Sequence, residues 1–149
     1  PFQMSSVEFF TEVYEHLKPG GVMVVNMSMR SESEGSMNEY LMDTIKSVFP
    51  YAWTVRVSGG TNLELFATAD EDALARFEQR RSEVPDEYAA IMQRVDEGLE
   101  AVEGGDYILT DDKAPVELLG MAVLDEIIAN ELEVLRGQIA ENGIMSLLE

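Results

Sequence analysis

The sequence has no cysteine, a single histidine and a single tryptophan among its 149 residues. The lack of cysteine excludes disulfides, thiolate zinc sites and cysteine nucleophiles, and no metal site is predicted. No apolar run approaches the roughly 20 residues that a membrane-spanning helix needs, and no signal-peptide pattern is present. We therefore expect no membrane segment and a cytoplasmic location, either for this chain or for a larger protein that contains it.

Basic residues are also scarce, since 10 lysines and arginines face 29 aspartates and glutamates, a net charge of −19. The imbalance is greatest in residues 70–149, which hold 21 of the 29 acidic side chains. This charge argues against binding nucleic acid or an anionic membrane through phosphates. Two interpretations remain open: the acidic surface attracts a cationic small molecule, or it consists only of solvated helix faces.

One stretch organises the chain, a turn at Pro19-Gly20-Gly21 followed by V-M-V-V-N-M at 22–27. Apolar residues at successive positions are typical of a strand covered on both faces, usually a parallel strand inside an α/β sheet. Such a strand needs a neighbour on each side, and this chain supplies candidates for one side only. We therefore expect the chain to be the second half of a larger domain.

Helix signals flank this strand. Ser5 and Glu8 have capping-box spacing before a helix that ends near Leu17, and Ser36 and Glu39 have the same spacing before a second helix. A Gly-Gly turn then predicts an antiparallel hairpin from the strands 52–57 and 63–68. Three further helices are predicted, the first capped by Asp70, the second running from Asp86 to Val102, and the third covering about 116–139.

Three motifs carry a family resemblance. They read P-F-Q-M-S-S-V-E-F-F at 1–10, L-K-P-G-G-V at 17–22 and L-T-D-D-K-A-P-V-E at 109–117. Together they resemble the C-terminal half of the spermidine synthase-like, or polyamine aminopropyltransferase-like, group of the class I methyltransferase fold. The third motif is similar to a T-D-D-x-A-P-V-E signature near the C-terminus of bacterial members.

The resemblance implies a fold. It is α/β, a partial Rossmann-like methyltransferase fold with a small three-stranded mixed sheet and about five helices. The strand order is 1-3-2, because the last hairpin strand lies antiparallel between two strands that are parallel to each other. Residues 1–69 form the second half of the α/β domain, and residues 70–149 form a helical extension on the same core.

The resemblance also implies a function, a transferase that uses an S-adenosylmethionine-type donor. The Gly-rich loop, the ribose-binding acid and the catalytic aspartate loop of the group are absent from this sequence. We therefore expect no cofactor in this chain, and S-adenosylmethionine or its decarboxylated form in an intact longer protein. The chain alone is expected to be inactive, its catalytic residues are unknown, and methyl and aminopropyl transfer both stay open. The alternative is a non-catalytic interaction or oligomerisation module derived from the same fold.

Alignment with the group places Asn26, Ser28 and Ser58 at positions that contact substrate. Asn26 and Ser28 also fall at the carboxyl end of a predicted parallel strand, where open α/β sheets bind ligands. None of the three supplies a carboxylate.

Asp111 and Asp112 are the adjacent acidic pair in the turn before Pro115, and they have two interpretations. One carboxylate orients a cationic small-molecule substrate, or the pair caps the helix that follows and meets its dipole.

The open side of the strand at 22–27 predicts the partner. Unpaired backbone groups along an apolar edge favour pairing with another chain. We expect either a homodimer, formed by edge pairing at 22–27 or by helix packing over this face, or association with the missing N-terminal half.

Overall fold

The computed structural model describes residues 2–28, 34–57, 62–113 and 116–142. These ranges hold five α-helices, as predicted, and four strands. In chain order the elements are α1 (Val7–His16), β1 (Val22–Ser28), α2 (Met37–Val48), β2 (Tyr51–Arg56), β3 (Asn62–Thr68), α3 (Ala73–Arg81), α4 (Ala89–Gly98), β4 (Glu100–Ala101) and α5 (Val116–Asn142). Within these ranges, no helix combines the length and the apolar composition needed to cross a bilayer.

The four strands form one sheet in the order β1-β3-β2-β4. Because β1 and β2 both pair antiparallel with β3, they run in the same direction, and the predicted order 1-3-2 is confirmed. The prediction of a three-stranded mixed sheet is wrong in two respects. A fourth strand is present, and every hydrogen-bonded pair among the described strands is antiparallel. The methyltransferase-like part of the fold prediction stays a prediction.

The fourth strand lies where the sequence predicted helix. Instead of continuing to Val102, α4 ends at Gly98, and Leu99 has extended backbone angles. Val102 is buried, and its N–H donates to the carbonyl of Ala52 at 3.0 Å. The core contact of this valine holds the preceding two residues against β2, which excludes the helical path.

One face of the sheet forms the main core against α1 and α2. Its central side chains are apolar and almost fully buried: Phe10, Met27, Ile45, Phe49, Leu63 and Leu65. Burying each of the larger side chains contributes about 1.5–3 kcal/mol relative to exposure. This layer holds the sheet, α1 and α2 together.

The opposite face is only partly covered. Trp53 and Phe66 from the sheet, with Leu74 and Phe77 from α3, line an apolar cavity of about 130 Å³. At the margin, Val22 and Val24 of β1 are 48% and 55% exposed. The predicted coverage of β1 on both faces is therefore not found among the described residues, where β1 forms an edge of the sheet.

Of the five helix starts predicted from the sequence, two agree with the structure: α5 begins at Val116 and Ser36 caps α2. Ser36 is the N-cap of α2, and its hydroxyl accepts from the Glu39 N–H at 3.3 Å. Ser5 is wrong, because residues 2–5 form a 3₁₀ turn and Ser6 caps α1 instead. Asp70 precedes the N-cap Asp72 of α3 and accepts from its N–H at 3.0 Å. Asp86 opens a 3₁₀ turn, and α4 begins three residues later.

Candidate functional site

The T-D-D motif forms a tight turn, residues 110–113. The backbone N–H of Thr110 donates to the Lys113 carbonyl at 3.2 Å, and the Lys113 N–H donates back at 3.0 Å. The same Lys113 N–H also meets the Thr110 hydroxyl at 3.1 Å. These bonds place Asp111 and Asp112 together at the tip of the turn.

The two aspartates have different surroundings. Asp111 accepts from the buried hydroxyl of Ser6 at 2.5 Å, and its own N–H donates to the Glu8 carboxylate at 3.0 Å. Asp112 is exposed, and no hydrogen bond or ion pair of its side chain is found within the described ranges. The structure therefore joins Asp111 to the start of α1 and leaves the Asp112 carboxylate facing solvent.

The segment 107–109 leads into this turn and is held by hydrogen bonds. Leu109 is fully buried, its carbonyl accepts from the Val7 N–H at 2.9 Å, and its N–H donates to the Thr44 hydroxyl at 2.9 Å. Further back, the Tyr107 N–H donates to the Asp43 carboxylate at 3.0 Å. The segment 107–111 is thus hydrogen-bonded to both α1 and α2.

The other predicted site residues lie on or beyond β1. Asn26 is exposed and stands opposite Glu64 in the sheet register, while Ser28 stands opposite Asn62. Ser58 lies outside the described residues. No hydrogen bond joins Asn26 to Asp111 or to Asp112 in the parts of the chain that the structure describes.

The fold nevertheless brings β1 and the 110–113 turn toward the same end of the sheet. The chain reverses between α1 and β1, where the Gly21 N–H donates to the Lys18 carbonyl at 2.7 Å. Because α1 and β1 then run antiparallel, the start of α1 lies near the carboxyl end of β1. Asp111 is bonded to that start, so its turn lies toward the end of the sheet where β1 finishes with Asn26 and Ser28.

The structure adds an acidic cleft of about 560 Å³ that was not predicted. It lies between the first half of α2, the end of β4 and the segment 102–107. Its acidic lining residues are Glu34, Glu39, Asp43, Glu100, Glu103 and Asp106. Six carboxylates around one opening favour a ligand that carries positive charge.

Asp43 is the buried carboxylate of this acidic cleft. Burial raises its pKa, and the negative charges of Glu39 and Asp106 raise it further, while the N–H groups of Tyr107 and Gly105 oppose the shift. A Cβ at Gly105 would lie 2.6 Å from a carboxylate oxygen of Asp43, so a larger residue at this position would displace the carboxylate. In the sequence, Glu103 and Asp106 flank the Gly104-Gly105 pair, and these acidic neighbours are the local signal for the cleft.

Tyr107 stands at the same cleft. Its hydroxyl donates to Glu34 at 3.3 Å, and its ring lies 4.9 Å from the ring of Tyr40. The nearby charge of Glu34 is the main cause that raises the Tyr107 pKa. The phenol therefore stays protonated and acts as a hydrogen-bond donor.

The described residues do not fit an S-adenosylmethionine-type donor. In Rossmann-type folds, binding such a nucleotide uses a Gly-rich turn that leads from a strand into a helix. The glycine pairs of the chain lie elsewhere: 20–21 before β1, 59–60 between β2 and β3, and 104–105 after β4. We derive no donor chemistry from this chain.

Comparison with known proteins supports the resemblance seen in the sequence. The chain is 44% identical, over 99% of its length, to a Bifidobacterium longum (strain NCC 2705) protein named probable polyamine aminopropyl transferase. It spans only 37% of that relative. No family model and no solved structure matches the chain. The predicted likeness to the polyamine aminopropyltransferase-like group is confirmed, and the coverage is consistent with a C-terminal portion of such a protein.

Proposed function

We propose that this chain is the C-terminal part of a polyamine aminopropyltransferase-like enzyme whose donor-binding half lies in a longer protein. The observation that carries the proposal is the 44% identity over 99% of the chain. In the longer protein the donor is decarboxylated S-adenosylmethionine, as an aminopropyl transfer requires. The β1 edge there pairs with a strand of the missing half, which completes a methyltransferase-like sheet.

The acidic cleft supports the same proposal. Polyamines are polycations at neutral pH, because alkyl amines titrate near the pKa of lysine. Carboxylates such as Glu103 and Asp106 at the rim attract the charged amine, and the Tyr107 hydroxyl offers a nearby polar contact. We assign this cleft to the amine substrate, and the surrounding charge steers that substrate toward it.

A second candidate is a non-catalytic interaction module. It is favoured by the exposed valines of β1, because an unpaired strand with apolar side chains is a template for another chain. In this interpretation the acidic residues only keep the surface solvated.

A chimera tests the first proposal. This chain replaces the matched 37% of the Bifidobacterium longum protein, and aminopropyl transfer to a panel of diamines is followed by mass spectrometry. We expect product from the chimera and from the unaltered relative, and none from the isolated chain. A folded chimera that binds the donor without forming product would contradict the proposal.

The same chimera tests the cleft. We expect Glu103→Gln with Asp106→Asn to raise the KM for the diamine more than it lowers kcat, because the rim charges act on binding. Glu141→Gln, at the far end of α5, is the matched control and is expected to change neither. An unchanged KM in the double variant removes the cleft assignment but leaves the transferase proposal standing.

A further inference from the structure

The last helix, α5, carries an apolar stripe that nothing in the described structure covers. Met121, Leu124, Ile128 and Leu132 are 48–58% exposed, and Leu135 is 38% exposed. Ile139, half-buried, continues the series. The members follow one another at three- or four-residue intervals, so they lie on one side of the helix over about 27 Å. We call these six residues the α5 stripe.

The α5 stripe faces away from the other elements that the structure describes. The helix α5 contacts α2 and the 3₁₀ turn at residues 2–5. Leu119 of α5 is half-buried, whereas Ile128 is 56% exposed. Nine residues separate them, which is a half-turn around the helix axis at about 100° per residue. The side of α5 that contacts the protein is therefore opposite the α5 stripe.

The order of residues in the α5 stripe is nearly symmetric about Asn130. Ile128 and Leu132, Leu124 and Leu135, and Met121 and Ile139 form pairs at matching distances on either side of that midpoint. A surface with this arrangement is complementary to itself when a second copy is turned by a two-fold rotation. Turned in this way, each apolar side chain meets another one.

Charge selects the direction of pairing. Arg136 is the only basic residue of α5. It lies eleven residues after Asp125, about three turns along, so both flank the α5 stripe on the same side. They also lie six and five residues from Asn130. An antiparallel pair of helices related by a two-fold rotation keeps this flank on one side of the contact and therefore sets Arg136 against Asp125 of the second copy. A parallel two-fold pair puts the two flanks on opposite sides of the contact, so this charge pair does not form.

We propose that two copies of this chain associate through an antiparallel α5–α5 contact along the α5 stripe, centred on Asn130. The apolar residues supply the affinity, and the two Arg136–Asp125 pairs fix the orientation. The net charge of −19 opposes association, so the contact depends on the match of these surfaces rather than on general attraction. The proposal does not depend on the transferase assignment.

Sedimentation velocity of the 149-residue chain over about 1–100 µM tests the contact. We expect a dimer whose dissociation constant rises at least about tenfold in Ile128→Ser, because this residue is central to the interface. Val134→Ser is the matched control, since Val134 is 57% exposed on the same helix but outside the α5 stripe. Helix content by circular dichroism should be equal in all three proteins.

A charge swap tests whether the two α5 helices pair in the antiparallel direction. Asp125→Arg and Arg136→Asp are each expected to weaken the dimer, and the double variant is expected to restore it. A monomeric wild type at about 100 µM overturns the proposal. A dimer that survives Ile128→Ser places the interface elsewhere, for example at the β1 edge, and also overturns it. Absence of rescue in the double variant overturns the antiparallel arrangement.

Discussion

At the tip of the 110–113 turn, two neighbouring carboxylates are expected to contribute differently to the free energy of unfolding. Asp111 accepts from the buried Ser6 hydroxyl, and its removal leaves that hydroxyl to donate only to the Gln3 carbonyl at 3.3 Å. We expect Asp111→Ala to lower the free energy of unfolding by about 1–2 kcal/mol. Asp112→Ala is expected to change it by less than about 0.5 kcal/mol. Urea denaturation of both variants measures the difference, and equal losses would show that the Ser6 contact is not the cause.

Asp43 makes stability depend on pH. Burial raises its pKa above the ordinary value of 3.8, so the folded state favours the protonated form. The stability that protonated Asp43 contributes is therefore fully present below its pKa in the unfolded chain. This stability is lost as pH rises through its pKa in the folded protein. Asp43→Asn keeps an oxygen that accepts from the Tyr107 N–H but carries no charge.

We accordingly expect Asp43→Asn to gain stability relative to wild type between about pH 4 and about pH 7. Melting temperatures of both proteins across this range test the sign. If the melting-temperature difference between Asp43→Asn and wild type narrows as pH rises, hydrogen bonding to the charged form outweighs burial.

Among the elements, α2 does the most to position the candidate site, because its side chains hold the segment 105–109. Thr44 is fully buried, donates to the Tyr40 carbonyl at 2.6 Å and accepts from the Leu109 N–H at 2.9 Å. Thr44→Val keeps the shape but leaves a buried N–H unpaired. We expect a loss of about 1–3 kcal/mol.

Thr11→Val is the matched control for that substitution. Thr11 donates to the Val7 carbonyl at 2.8 Å in the same helical geometry, and no distant N–H in the described ranges donates to it. We expect a loss below about 1 kcal/mol, measured in the same denaturation experiment. Similar losses at Thr11 and Thr44 would mean that the stability is lost through the hydrogen bond within each helix and not through the contact with Leu109.

At the scale of the whole molecule, the chain is expected to lack donor binding. The glycine pairs do not connect a strand to a helix, and the sequence has no ribose-binding acid in such a position. Calorimetric titration of the isolated chain with S-adenosylmethionine and with its decarboxylated form should therefore show no saturable binding. Saturable binding at micromolar concentration would show that the donor site lies within this chain.

The sequence by itself determined the features that depend on neighbouring residues. Ser36 and Glu39 predicted the start of α2, and the Gly-Gly turn predicted the pairing of β2 with β3. The motifs at 17–22 and 109–117 indicated the family likeness that the Bifidobacterium longum relative confirms. A cap or a hairpin turn is encoded within a few residues, so its physical cause is visible in a short stretch.

Only the tertiary structure decided the features that join distant parts of the chain. The shift of the α1 cap to Ser6 accompanies a bond to Asp111, 105 residues away, and β4 replaces helix because Val102 reaches the core beside Ala52. The acidic cleft likewise depends on Asp43 meeting Tyr107 across 64 residues. Burial and long-range hydrogen bonds outweigh local helix preference at these positions, and no short pattern records them.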